Sequence, residues 1–203
     1  MSDQLTEWLF GVITRPVQTL RDVARAKPVG WAILVYLGVT ALMMFVSVFT
    51  DRSYDALAEM MSGYGFTYVI TLVMMSGIPF MILISLFIQI AVLQLFAKLF
   101  GGKGGYWNLF SAYAFASFPL ILGVPVSFIG SFTGIFGSIL SGSVSIGLSL
   151  WMLVLQVIAV RESHNISTGA SIGVYILHIV LLVAIPVALF VVLISVFAVF
   201  TGG

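Results

Sequence analysis

The chain has 203 residues, of which 61% are hydrophobic and only 7% charged, and its mean hydropathy is +1.21. A soluble domain covers itself with about 25% charged residues, so eight Lys+Arg and seven Asp+Glu mark an integral membrane protein. A net charge of +1 gives no basic field for nucleic acid, and the lack of cysteine excludes disulfides and cysteine-ligated metal.

The first 28 residues read as an amphipathic segment. Leu5, Trp8, Leu9, Val12 and Ile13 recur at helical spacing, with Asp3, Gln4 and Glu7 off that face. Pro16 breaks the run and suits the first turn of a second short helix. That helix carries Val17, Leu20 and Val23 on one side and Arg21, Asp22 and Arg25 on the others. Two readings stand side by side: a segment lying in the membrane surface, or one packed on the end of a helical bundle. Acidic residues ahead of the first apolar run are the wrong order for a secretory leader, so the N-terminus is expected to stay on the mature chain.

Beyond Pro28 the charges divide the chain into uncharged blocks. A hydrocarbon core about 30 Å thick takes about 20 helical residues. Residues 29–50 supply one crossing and 60–97 a second with loop to spare. The block 104–160 would extend roughly 85 Å as a single helix, so it must fold back as a hairpin. Gly130 to Gly134 is the favoured turn, with Ser141 to Ser143 the later alternative. A last run closes the chain. The expectation is an all-α membrane protein, a five-transmembrane helical bundle with spans near 29–50, 67–97, 106–129, 135–160 and 170–200, preceded by an N-terminal amphipathic interfacial helix. Long continuous apolar runs favour helix over the short alternating segments of a membrane barrel.

Five crossings put Arg15, Arg21, Arg25, Lys27, Lys98, Lys103 and Arg161 on one side and Arg52 on the other. The positive-inside rule then sets the N-terminus in the cytoplasm and the C-terminus outside. Asp51, Asp55 and Glu59 recur every four residues in the outer loop, where a solvated polar face is favoured over a cation site.

Polar side chains within spans are the default functional candidates, because lipid penalises them. They are Gln89, Gln94, Gln156 and His178. Plain hydrogen bonding between helices is the simpler reading, at about 1 kcal/mol or less per bond. Enzyme signatures are missing. No His-Glu-x-x-His occurs, and His164 precedes His178 by about 21 Å of ideal helix. Gly101 to Gly105 is no Walker loop, because Gly104 follows Lys103. No catalytic residue, metal site or cofactor is assigned. Gly130, Gly134 and Ser138, and then Ser141, Ser145 and Ser149, are small residues at a spacing that lets helices approach closely.

Two segments carry a family resemblance. The run from Phe100 through Gly101, Gly102, Lys103, Gly104, Gly105, Tyr106, Trp107 and Asn108 to Ala112-Tyr113, followed by Pro119, resembles the Gly-Gly, aromatic, Ala-Tyr, Pro pattern of the Yip family, the Ypt/Rab-interacting membrane proteins. Arg161 and His164 resemble that family's Arg-x-x-His motif after the fourth span, and Pro16 and Pro28 bracket a short helix as in the family. The resemblance covers roughly residues 14–200. It implies a polytopic membrane protein with a cytoplasmic N-terminus and no established catalysis. Eukaryotic members act in membrane traffic and associate with Rab-type GTPases and with one another. The compact loops and short N-terminal segment are more similar to the prokaryotic branch, which implies a cytoplasmic-membrane location.

The functional expectation is therefore a non-enzymatic membrane protein that binds or organises lipid or protein through its cytoplasmic face. Arg21, Arg25, Gly101, Gly102, Lys103, Tyr106, Trp107, Asn108, Arg161 and His164 would build that face. Its expected partners are the bilayer, anionic lipid head groups, further copies of the chain or other membrane proteins. The alternative is a channel, small-solute transporter or lipid-moving protein with a path near Gln89, Gln156 and His178.

Overall fold

Helix α1 (Ser2–Thr14) and helix α2 (Pro16–Ala26) fold against each other at one end of a helical bundle. A computed structural model describes residues 2–50, 59 and 67–201. Asp51 and Asp55, two members of the outer carboxylate series, lie outside the described residues, whereas Glu59 is exposed. Pro16 occupies the first turn of α2, where its missing N–H has no intrahelical role. The helix stops at Lys27, which adopts φ 52° and closes on the Val23 carbonyl at 2.9 Å. Pro28 then turns the chain into α3 (Val29–Thr50).

The remaining elements are α4 (Thr67–Leu99), α5 (Tyr106–Ala116), a 3-10 turn (Phe118–Leu122), α6 (Gly123–Ser131), α7 (Gly134–His164) and α8 (Thr168–Thr201). Five stretches among the described residues are long and apolar enough to cross a membrane: Val29–Ser47, Phe80–Leu99, Tyr106–Ser131, Gly134–His164 and Thr168–Phe197. The third is a broken rod. Pro119 offers no N–H to the Phe115 carbonyl, so the helix tightens into a 3-10 turn before α6 resumes. The chain reverses between Ser131 and Gly134, within the Gly130 to Gly134 stretch. There the Phe132 and Thr133 amides bond back to Ile129 and Gly130. Ser141 to Ser143, the later alternative, sit inside α7.

Helix α5 is the hub. Every residue from Leu109 to Ala116 is buried, enclosed by α2, α3, α4 and α7. The α2 face Thr19, Leu20, Val23 and Ala24 is buried there too, and Trp8 of α1 meets Phe115 edge-on with centroids 5.8 Å apart. Of the two readings of the N-terminal segment, packing on the bundle end holds for α2. Helix α1 also keeps an outward apolar side, since Phe10 is 67% exposed.

Lipid-facing hydroxyls remain satisfied within their own helices. Ser85, Ser138, Ser143, Ser149 and Ser195 each donate to a carbonyl three or four residues earlier, so none needs a partner across lipid. Ser141 is half-buried against Gly130 of α6, whereas Ser145 and Ser149 are exposed, so the later small-residue series turns outward along α7. Helix α8 is bound through its first half by α4 and α7, while Leu182 to Val196 present their large side chains to the surroundings. In a bilayer such a surface is already in its preferred solvent.

Candidate functional site

The C-terminal end of α7 anchors the site. Asn165 enters the left-handed region at φ 51°, and its N–H and that of Ile166 return to the Arg161 carbonyl. This is a common way to satisfy the last carbonyls of a helix. The His164 carbonyl instead receives the Lys103 amide at 3.0 Å, from the loop between α4 and α5. The loop can come this close only because of its glycines. A Cβ on Gly104 would overlap the Ser163 carbonyl, and one on Gly102 would lie 2.6 Å from the Ala97 oxygen and 2.8 Å from the His164 ring. Gly101 turns the chain out of α4 at φ 80°.

A hydrogen-bond chain runs beneath that loop. The Gln94 amide nitrogen donates to the Gly104 carbonyl at 3.1 Å, which leaves Gln94 Oε1 as an acceptor. His164 Nε2 lies 2.8 Å from it and therefore carries the proton. His164 Nδ1 is then free to accept from the Ser163 hydroxyl at 2.9 Å. His164 is fully buried and ties α4, the glycine loop and α7 into one unit.

Beside it lies a carboxylate gripped from two sides. Arg21 Nε donates to Glu162 Oε2 at 2.6 Å, and Arg161 Nε donates to Oε1 at 2.8 Å. Arg161 also reaches the Thr168 hydroxyl at 3.2 Å, bridging to the start of α8. The Glu162 side chain is 7% exposed, whereas that of Arg21 is 43% exposed. The carboxylate raises the Arg21 guanidinium further above its ordinary range, first by hydrogen bonding and then by charge. This clamp fixes the amphipathic α2 to the membrane domain.

The remaining residues of the expected surface are distributed around this centre. Tyr106 is half-buried and donates to the Phe87 carbonyl at 2.8 Å, while Trp107 is exposed and stacked edge-on against Tyr106 and Phe110. Asn108 is half-buried beside Gly105. Lys103 joins the site through its backbone and is otherwise exposed. Arg25 stands apart from the clamp. It lines a cleft of about 730 Å³ between α1 and α2, with Glu7, Arg15 and Asp22.

Inside the membrane domain, Gln89 of α4 meets His178 of α8 at 3.3 Å. One turn away the Tyr175 hydroxyl donates to Gln156 Oε1 of α7, and buried Tyr113 of α5 interacts with both. The rings of Tyr175 and His178 lie 6.2 Å apart. Among the described residues, no group of three His, Asp or Glu is placed to hold a metal ion.

Gln94, within the Phe80–Leu99 stretch, bonds to the glycine loop and His164 and so joins the span to the polar end. Sequence reasoning gave Glu162 no part in the surface, although its Arg neighbour signalled a charge pair. It also missed Tyr113 and Tyr175 as partners of Gln156. Tyrosine in an apolar run gives no signal of its own until the helices are set side by side.

Fold and site together define a polytopic helical membrane protein whose polar end is locked by a glycine loop, a buried histidine and a doubly held carboxylate. The Yip1 domain family model matches residues 10–197, and the chain belongs to that family. Comparisons with curated proteins and with solved structures found no match.

Proposed function

We propose that this chain is a non-enzymatic member of the Yip1 domain family that binds and organises membrane components through its polar end. Both ion pairs there, among the described residues, terminate on Glu162, while Arg25, Lys98 and Lys103 are exposed at the same end. That observation carries the reading. Cations next to a membrane surface attract lipid phosphate at about 1 kcal/mol each. With the N-terminus in the cytoplasm of a prokaryotic cell, these groups face the anionic inner leaflet. The exposed Trp107 and Phe10 add amphipathic and apolar contacts suited to the same interface. Further copies of the chain or other membrane proteins are the remaining partners of this surface.

Native mass spectrometry of the purified full chain, released from mixed zwitterionic and anionic lipids, tests the proposal. Retention of anionic lipid is expected to fall with added salt and in the Arg25→Gln, Lys103→Gln double variant. Equal retention by variant and wild type would overturn it.

A second reading, a channel, small-solute transporter or lipid-moving protein, is favoured by the adjacency of Gln89–His178 and Gln156–Tyr175 across three helices. Flux across proteoliposomes, abolished on replacing Gln89 and Gln156 with Leu, would distinguish it from the first.

A further inference from the structure

His178 is 2% exposed, and its Nδ1 has no hydrogen-bond partner. The state of the ring follows from its other nitrogen. Gln89 presents an amide nitrogen to Nε2, and an amide nitrogen only donates, so Nε2 accepts. A neutral imidazole then carries its proton on Nδ1. The result is a buried N–H with no protein acceptor within hydrogen-bond distance.

The surroundings are polar enough to complete that bond. Tyr175 lies one turn back on the same face of α8, and its hydroxyl oxygen can accept while its proton goes to Gln156. Tyr113 of α5 adds a hydroxyl beside that of Tyr175. Buried water sites in proteins have this character: a polar gap with two to four partners. Depth narrows the ligand class. His178 is ten residues into α8, about 15 Å along the helix and so near the middle of a core about 30 Å thick. Ester carbonyls and phosphates of lipids lie at the interface, out of reach of that level.

We infer that His178 and Tyr175 form an intramembrane binding site for a single hydroxyl oxygen, held by His178 Nδ1–H, with Gln89 fixing the proton on Nδ1 from the other side of the ring. Water is one source of that oxygen, and the hydroxyl of a lipid-soluble alcohol is the other. An occupied site links Gln89–His178 to Tyr175–Gln156, giving one polar chain across α4, α5, α7 and α8. The inference is independent of lipid binding at the polar end.

Solid-state NMR on the full chain in bilayers, with ¹⁵N-labelled histidine, tests it directly. The chain has two histidines, so His178→Phe assigns the signals. The expected result is a protonated Nδ1, an unprotonated Nε2, and a through-space cross-peak from Nδ1–H to a hydroxyl or water proton. In bilayers whose lipids carry no hydroxyl, a cross-peak that persists in H₂O and disappears in D₂O identifies water. A cross-peak absent from those bilayers but present when a hydroxyl-bearing lipid is added identifies a lipid hydroxyl. A proton on Nε2 instead of Nδ1, or an Nδ1–H close to protein groups alone, would overturn the site.

Discussion

Gly104 and Ser163 meet backbone to backbone, at a separation that leaves no room for a methyl group between them. This approach lets the Lys103 amide reach the His164 carbonyl and brings the Gly104 carbonyl over Gln94. One residue without a side chain therefore sets the register of the loop against α7.

Gly104→Ala tests that role. The new Cβ meets a backbone carbonyl at the capped end of a helix, which cannot move aside as a flexible side chain would. We expect a loss of roughly 2 kcal/mol, within the overpacking range, measured by SDS-induced unfolding of the protein in mixed micelles. Gly142→Ala is the control. A Cβ there meets nothing within 4 Å, so it should be neutral or stabilise α7 by about 0.5–1 kcal/mol. Similar behaviour of the two variants would show that the loop does not depend on the close approach.

The clamp on Glu162 is asymmetric. Glu162 is buried and held by two guanidinium groups, whereas Arg21 is partly solvated and Arg161 stays behind if Arg21 is removed. Glu162→Gln should therefore cost about 3 kcal/mol, the lower end for breaking a buried pair. Arg21→Gln should cost about 1 kcal/mol or less. Proteolysis between α2 and α3 should report the same order, faster in the Glu162 variant because α2 is released from α7. Equal effects would place the weight of the clamp on Arg21.

The fold was legible where the physics is one-dimensional. Sixty-one per cent hydrophobic residues, a few charges and the length limit of a bilayer crossing suffice for five apolar stretches. The glycines at 101–105 and the Arg161 to His164 segment were also legible as a pair of motifs, and the structure joins them. Gln94 was not legible as their link. It stands four residues before Lys98 in an apolar run, and only the return of α7 to the loop reveals that it meets His164. The same holds for Glu162, whose distant partner Arg21 is 141 residues away. Long-range pairs of this kind leave no periodic trace in a single chain.

The Gln94–His164 bond should behave as part of a network rather than as a single contact. Gln94→Leu leaves both His164 Nε2–H and the Gly104 carbonyl without their partner, and His164→Phe strands Gln94 Oε1. Each should cost about 1–3 kcal/mol, the range for an unsatisfied buried group. The double variant removes both ends, so it should cost clearly less than the two losses added together. A double-variant cycle by SDS unfolding measures that coupling. Full additivity would mean that the two side chains act separately.

The Tyr175–Gln156 bond sits deeper, in surroundings that change the arithmetic. Hydrogen bonds between membrane helices usually contribute about 1 kcal/mol or less, because the separated helices also find partners. Tyr175→Phe removes the donor while keeping the ring that packs beside His178 and Tyr113, so its effect on unfolding should stay within that range. Gln156→Leu also removes the acceptor but keeps volume, and it should fall in the same range. The pair should nevertheless be distinguishable by NMR at His178. Tyr175→Phe removes a hydroxyl that shares the proposed oxygen site, so it should shift the Nδ1 resonance, whereas Gln156→Leu, one bond further away, should shift it less. A larger response to Gln156→Leu would mean that the polar chain approaches His178 through α7 rather than along α8.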